Sequence, residues 1–279
     1  MTEPTATAEH HQALEVLPAS AAKSIFNLSL FGLSLLICLP VYGLLYPLGR
    51  TVRRGITGFW FRIACRLCGL RLTVKGKQTN ARPTLLVSNH ISYLDIPVLG
   101  AVTNATFVSK SDVASWPVFG FLARIAGTVF IERVPARVRS QRQELSDRLL
   151  SGEPLILFPE GTSTRGAHVL PFKSALFGVA QALPEGQDLT VQPLSIAYVR
   201  LSDGMPLRGL LQALYGWYGD MTLGPHLKAV MGLPGAQVEV TFHKPIAVSG
   251  LQDRKALAAQ CQQQVALGLA ESLGESRAA

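Results

Sequence analysis

His90 and Asp95 stand five residues apart in the stretch Asn89-His90-Ile91-Ser92-Tyr93-Leu94-Asp95, directly after the apolar run Thr84-Leu85-Leu86-Val87-Ser88. On one ideal helix, five steps of about 100° would leave the two side chains roughly 140° apart. They can meet if the apolar run is a buried strand, His90 lies in the loop after it, and Asp95 sits on the first turn of the next helix. A carboxylate placed in this way holds the imidazole tautomer and stabilises its charged form, leaving the other ring nitrogen free to take a proton. No serine or cysteine motif lies nearby to serve as nucleophile. The proton can therefore come from a substrate hydroxyl.

Three further stretches carry residues suited to anion binding. Gly127-Thr128-Val129-Phe130-Ile131-Glu132-Arg133 reads as a strand that ends in Glu-Arg. Arg133 could fork onto a phosphate or carboxylate at the mouth of a sheet, or form an exposed strand-end ion pair. In Leu157-Phe158-Pro159-Glu160-Gly161-Thr162-Ser163-Thr164-Arg165-Gly166, a buried strand runs into glycines, hydroxyls and an arginine. Glycine lets the backbone approach an anion closely, and free N–H groups and hydroxyls can bind it. The same composition also makes an ordinary turn, and the Gly-Lys-Ser/Thr ending of a P-loop is absent. In Val191-Gln192-Pro193-Leu194-Ser195-Ile196-Ala197-Tyr198, a proline inside a strand implies an edge, a bulge or a strand wall facing a ligand.

These stretches must be positioned by a scaffold, and its elements can be read from the hydrophobic pattern. Candidate strands cover residues 71–75, 84–88, 105–108, 128–131, 155–158, 190–198 and 237–243, with helical patterns at 95–102, 117–125, 136–150 and 172–183. Short continuous apolar strands separated by helices predict an α/β fold: a mainly parallel sheet flanked by helices. A last amphipathic helix at 254–273 is expected to pack on the sheet's edge or face. Sites in such sheets gather at the carboxyl ends of strands. His90, Arg133 and Glu160 each follow a candidate strand.

Of 279 residues, 48% are apolar and only 16% charged, which directs attention to a membrane segment. No charge lies between Lys23 and Arg50. That stretch predicts an N-terminal hydrophobic membrane-anchoring segment. It is either one tilted, Pro40-kinked spanning helix, or a helix that breaks near Pro40 and continues through Phe59-Trp60-Phe61 along the interface. The formal charge of +8 is concentrated in residues 50–79, where Arg50, Arg53, Arg54, Arg62, Arg66, Arg71, Lys75 and Lys77 stand without an acid. A basic run beside an apolar segment favours the cytoplasmic face and anionic headgroups, and no nucleic-acid module accompanies it. The expected organisation is a flexible tail at 1–24, an anchor and basic segment at 25–69, and a catalytic domain at 70–279. Cys65 and Cys68 form a CxxC inside an apolar helical pattern and are read as packing residues rather than metal or redox groups; Cys38 lies in the apolar segment.

In order and spacing, the four blocks resemble the lysophospholipid acyltransferase family, whose blocks are N-H-x4-D, a strand ending in Arg, F-P-E-G-T and a V-x-P strand. The resemblance covers roughly residues 70–245 and includes Val108-Ser109-Lys110 and Trp116-Pro117-Val118-Phe119-Gly120. It implies an acyltransferase that moves a fatty acyl group from acyl-CoA or acyl carrier protein to a lysolipid hydroxyl. His90 would be the base and Asp95 its partner. Arg133, Glu160, Gly161, Thr162, Arg165, Lys110 and Pro193 would bind substrate, and no metal or bound cofactor would be needed. The implied location is the inner membrane, with membrane lipids as partners and the catalytic domain on the cytoplasmic side. Many family members follow F-P-E-G-T with an arginine assigned to the acceptor phosphate; here Ser163 stands there and Arg165 comes two residues later. Val169-Leu170-Pro171-Phe172 and Trp217-Tyr218-Gly219-Asp220-Met221 resemble a bacterial branch that includes lyso-ornithine lipid acyltransferases. The leading expectation for the acceptor is 1-acylglycerol-3-phosphate, giving phosphatidic acid. The alternative is lyso-ornithine lipid. A lipid or thioester hydrolase is a further alternative, although it would need a G-x-S-x-G elbow that the chain lacks.

Overall fold

The computed structural model describes residues 5–132, 134, 137–184, 186–248 and 253–274. The helices are α1 (Ala6–Val16), α2 (Ala21–Leu45), α3 (Arg50–Leu67), α4 (Asp95–Val102), α5 (Phe119–Ile125), α6 (Val138–Leu150), α7 (Leu223–Gly232) and α8 (Arg254–Ser272). The strands are β1 (Leu70–Lys75), β2 (Thr84–Ser88), β3 (Thr106–Lys110), β4 (Val129–Ile131), β5 (Leu155–Leu157), β6 (Leu189–Leu201), β7 (Ala236–Phe242) and β8 (Ile246–Val248). They form one eight-stranded sheet in the order β1-β7-β6-β2-β5-β3-β4, with β8 also paired to β6. Only the β6–β7 and β6–β8 pairings are antiparallel.

Period-two alternation along the central strands builds a core on each face of the sheet. Leu86 of β2 and Ile156 of β5 pack with Phe61, Cys65, Val98 and Leu99 of α3 and α4. Their neighbours Leu85, Val87, Leu155 and Leu157 point the other way, onto Leu145 and Leu149 of α6 and Leu257, Cys261 and Val265 of α8. All five β2 residues are buried, as expected of a strand covered on both faces. The cysteines are free. Burial pushes the Cys68 and Cys261 thiols up to about 12, so they stay protonated and serve as packing groups.

Residues 5–24 are not the loose tail that the polar composition of 1–24 suggests. Thr5 caps α1 by accepting from the Ala8 N–H at 3.3 Å. Ala6, His10 and Ala13 then form a narrow buried stripe against the 3₁₀ segment Gly209–Leu214. Small side chains give a weak hydrophobic signal, but they permit close approach: a Cβ on Gly219 would lie 2.8 Å from that of Ala6. The His10 ring packs 4.7 Å from that of His226 on α7, and His226 Nδ1 shares a 3.0 Å hydrogen bond with the Tyr93 hydroxyl.

Burial lowers the pKa of His226 to about 3 and also lowers those of His10 and His243. Below the unfolded value of about 6.5, the unfolded chain takes up protons that these folded sites refuse. Stability therefore falls as pH drops from about 6.5 towards 3, by up to about 1.4 kcal/mol per pH unit from His226 alone. Glu160 acts in the opposite sense. Its carboxyl is raised from 4.5 to about 7, so its contribution is lost as pH rises across that window. Between pH 7 and pH 5 the His226 and Glu160 contributions are of similar size and opposite sign, so the histidine shows in a difference: His226→Asn should raise the urea midpoint at pH 5 relative to that at pH 7, compared with wild type. An unchanged pH dependence in the variant would show that His226 does not govern acid stability.

The apolar segment is one continuous helix through Pro40, and the chain reverses at Tyr46–Gly49 rather than at the proline. α3 folds back on α2, with Phe31 and Trp60 rings 5.4 Å apart and Trp60 Nε1 donating to Ser34 at 3.2 Å. The N-terminal end of α2 is tied to α7: Ser24 donates to the Lys228 carbonyl at 2.6 Å and Asn27 to that of Met231 at 2.8 Å. Near its other end, Tyr42 donates to the Ile125 carbonyl of α5 at 2.9 Å. Two of the basic residues expected to face lipid are engaged by an acid of the globular body, one of them, Arg50, while staying exposed. Arg54 and Arg50 pair with buried Glu153 at 2.8 and 3.3 Å.

Candidate active site

β2 and β5 are adjacent and parallel, so their carboxyl ends release two loops side by side. The first is fixed by Asn89. Its amide donates to the Ile196 carbonyl and accepts from the Ile196 N–H, both at 2.9 Å. This reciprocal pair ties the loop to β6. His90 then faces back onto α4, and its Nδ1 lies 2.8 Å from Asp95 Oδ2.

Asp95 is the first residue of α4 and is fully buried. Its Oδ2 also accepts from the N–H groups of Ile91 at 2.7 Å and Ser92 at 3.0 Å, and its Oδ1 accepts from the Tyr198 hydroxyl at 3.0 Å. Two backbone N–H groups, a hydroxyl and the start of a helix thus surround the buried Asp95 side chain. With Nδ1–H donating to Asp95, neutral His90 carries its lone pair on Nε2. The His90 side chain is 21% exposed, and Nε2 has no hydrogen-bond partner among the described residues. The imidazole is thus oriented and charge-supported on one side and open on the other, which is what a general base towards an incoming hydroxyl requires.

The second loop braces the first. Phe158 stacks on the His90 ring with centroids 4.2 Å apart and planes at 18°. Glu160 Oε1 accepts from the His90 N–H at 2.7 Å, and Oε2 accepts from the Leu170 N–H at 2.8 Å. The Thr164 N–H donates to the His90 carbonyl at 2.9 Å. Gly161 at φ +71° and Gly166 at φ +88° supply left-handed turns. A Cβ on Gly166 would also meet Ile91 Cδ1 at 2.9 Å. Burial pushes Glu160 up to about 7, against the pull of its two N–H bonds and of His90.

The residues expected at the substrate fall into different places. Glu160 is 2% exposed and spends both oxygens on backbone, so it holds the loop rather than facing an acceptor headgroup. Gly161 makes the turn, with its N–H donating to the Phe158 carbonyl, and Thr162 is exposed beside it. Pro193 is buried within a central strand, not at an edge. It falls where the β6 pairing changes from β8, ending at Val191, to β7, starting at Leu194. Its carbonyl accepts from the His243 N–H at 2.9 Å, and the His243 carbonyl, left without a proline N–H, accepts from Gln192 Nε2 at 3.0 Å. Lys110 ends β3 at the same sheet edge as His90. Arg165 is paired with Glu9 of α1 at 3.1 Å. Arg133 lies outside the described residues. Among the described residues, no group of three or more His, Cys, Asp or Glu side chains could hold a metal.

Sequence spacing missed Tyr198 because nothing in the β6 pattern points its hydroxyl at a residue 103 positions earlier. Tyr198→Phe removes one neutral donor from Asp95 and should lower kcat/KM by roughly tenfold or less, in line with a hydrogen bond worth about 1 kcal/mol. A loss of several orders of magnitude would give Tyr198 a role beyond holding Asp95.

The family model described as Acyltransferase matches residues 71–197. A protein of Brucella abortus (strain 2308) named lyso-ornithine lipid O-acyltransferase is 41% identical over 231 residues, covering 81% of this chain and 86% of that one. A 1-acyl-sn-glycerol-3-phosphate acyltransferase of Neisseria gonorrhoeae is 39% identical over 94 residues, 33% of this chain and 37% of its own. The crystal structure of the 1-acyl-sn-glycerophosphate acyltransferase PlsC from Thermotoga maritima superposes with a TM-score of 0.56 at 21% identity. It covers 89% of this chain and 97% of that one, a likeness of fold. With the motif blocks, the sheet that carries them and a relative matched over most of both chains, this protein belongs to the lysophospholipid acyltransferase family and is an acyltransferase.

Proposed function

We propose that the protein is a lyso-ornithine lipid O-acyltransferase, which reverses the order of acceptors expected from the blocks alone. The reading is carried by the extent of similarity: the Brucella abortus relative of that name matches across 81% of the chain, whereas the Neisseria gonorrhoeae phosphate-acceptor enzyme matches across 33%. Ser163 in place of the arginine that the family resemblance assigns to phosphate supports it.

In this reaction the acceptor hydroxyl gives its proton to His90 Nε2 as its oxygen attacks the carbonyl carbon of an acyl thioester. The C–S bond breaks, and the proton passes from His90 to the leaving thiolate. Asp95 orients the ring and balances the imidazolium while it exists. The donor is acyl-CoA or acyl carrier protein. Incubating membranes that contain the protein with labelled donor and either lyso-ornithine lipid or 1-acylglycerol-3-phosphate tests the reading. It expects labelled ornithine lipid. Labelled phosphatidic acid alone would overturn it, and free fatty acid alone would favour a hydrolase.

The same reading places the enzyme at the cytoplasmic face of the inner membrane, as a monotopic protein. The span Ala21–Leu48, α2 with the turn after it, is long and apolar enough to cross a bilayer, with mean hydropathy 2.2 over an 18-residue stretch. Yet Ser24 and Tyr42, about 27 Å apart along the helix, both bond to the globular domain, which favours a helix lying along that domain and the interface. Leu36 and Leu44 on its outer side are 73% and 79% exposed. Exposed Arg62, Arg66 and Arg71 suit anionic headgroups. Replacing Leu36 and Leu44 together with Glu should move the folded protein from vesicle pellet to supernatant in a sedimentation assay; unchanged pelleting would count against this face.

A further inference from the structure

Arg165 is not an unpaired guanidinium. Its Nη1 lies 3.1 Å from Glu9 Oε1, and Glu9 Oε2 accepts from the Tyr218 hydroxyl. Three remote pieces of chain meet here: α1, the loop after β5, and the segment before α7. α1 is held in place by the Trp217–Met221 stretch as well. The Thr7 N–H donates to Asp220 Oδ1 at 3.0 Å, and Gly219 at φ +60° admits Ala6.

The cluster is tied to the His90 loop by the residues just before Arg165 and Tyr218. The Thr164 N–H donates to the His90 carbonyl at 2.9 Å, and the Trp217 N–H donates to the Ile91 carbonyl at 3.0 Å. Ser163 joins these two segments to each other by donating to the Trp217 carbonyl at 2.5 Å. The pair remains reachable from solvent, with Arg165 35% and Glu9 20% exposed. A carboxylate and a guanidinium therefore stand side by side, with Arg165 next in sequence to the residue that bonds the His90 carbonyl.

We propose that Glu9 is a specificity-determining residue for the acceptor, receiving the ammonium of a zwitterionic headgroup beside Arg165 and disfavouring a phosphate there. This rests on the lyso-ornithine reading. Ornithine joined through its α-amine keeps a carboxylate and a side-chain ammonium. Those charges complement Arg165 and Glu9, and the guanidinium has donors left over after one bond to Glu9. A phosphomonoester brings close to two negative charges and no ammonium. Glu9 would repel it, so selection works by rejection as well as attraction.

The test is Glu9→Gln, which keeps side-chain length and a hydrogen bond to Tyr218 but removes the charge. Steady-state kinetics are measured on three acceptors: lyso-ornithine lipid, the same lipid acetylated on its side-chain amine, and 1-acylglycerol-3-phosphate. For lyso-ornithine lipid the variant should raise KM roughly 10- to 100-fold, the scale of one charge-assisted contact, with the loss in KM rather than kcat. The acetylated acceptor should not distinguish wild type from variant, and transfer to 1-acylglycerol-3-phosphate should rise. Equal losses on the native and acetylated acceptors, or no change on either, would overturn the assignment while leaving the proposed function intact. A wild-type enzyme that makes phosphatidic acid and no ornithine lipid overturns both.

Discussion

Replacing His90 with alanine is expected to slow acyl transfer by roughly 10²–10⁴-fold, the usual share of a positioned general base. The fold should survive. The ring contributes one hydrogen bond, to Asp95, and one stacking contact, with Phe158, whereas the loop is held by backbone groups through Glu160, Thr164 and Asn89. Purified variant should therefore keep its thermal midpoint and its association with lipid vesicles while losing turnover. The experiment compares labelled product formed per minute by the two proteins at saturating donor and acceptor. Turnover near that of the wild type would remove His90 from the role of base, and the mechanism proposed here with it.

Asp95→Asn should cost nearly as much, roughly 10²–10⁴-fold in kcat, for a different reason. An asparagine can place its oxygen where Oδ2 stands and keep the bonds from His90, Ile91 and Ser92. Its amide nitrogen then faces the Tyr198 hydroxyl, which can turn to accept. The geometry of the ring is retained and the negative charge is lost, so the imidazolium formed during proton transfer has no counter-ion. The measurement is single-turnover transfer with saturating acceptor. A small loss would mean that orientation alone suffices and that the charge of Asp95 is incidental. Alanine is the less informative change, because it would strand several buried donors at once.

The two variants separate support from chemistry in a site where the distinction is otherwise hard to see. Glu160 illustrates the point. It lies in the motif most suggestive of ligand binding, yet both of its oxygens are committed to the backbone of the catalytic loop and of Leu170. Its buried carboxyl, raised to about 7, meets His90 through the backbone N–H.

Much of the framework could be read from residue order. The strands at 71–75, 84–88 and 190–198 fall within β1, β2 and β6: the Leu85-Leu86-Val87 run suits a strand covered on both faces, and the alternation of Leu72 and Val74 with polar residues suits the edge strand β1. The loop position of His90 and the helical start at Asp95 followed from the same pattern. β8 escaped because three residues, with a half-buried Ile246 and an exposed Ala247, carry too short a period to detect. α7 escaped because Gly224 and Pro225 open it. α1 escaped because alanine and histidine bury well while scoring as nearly neutral.

What the chain settles by itself is therefore the order of the chemical groups and the class of scaffold that presents them, since local periodicity and turn residues are properties of neighbours. What only the folded structure decides is which distant groups share space: Tyr198 on Asp95, Asn89 on Ile196, and Glu9 on Arg165. Those contacts join residues more than a hundred positions apart. They are fixed by sheet order and by the packing of α1 against the body, neither of which any local pattern encodes.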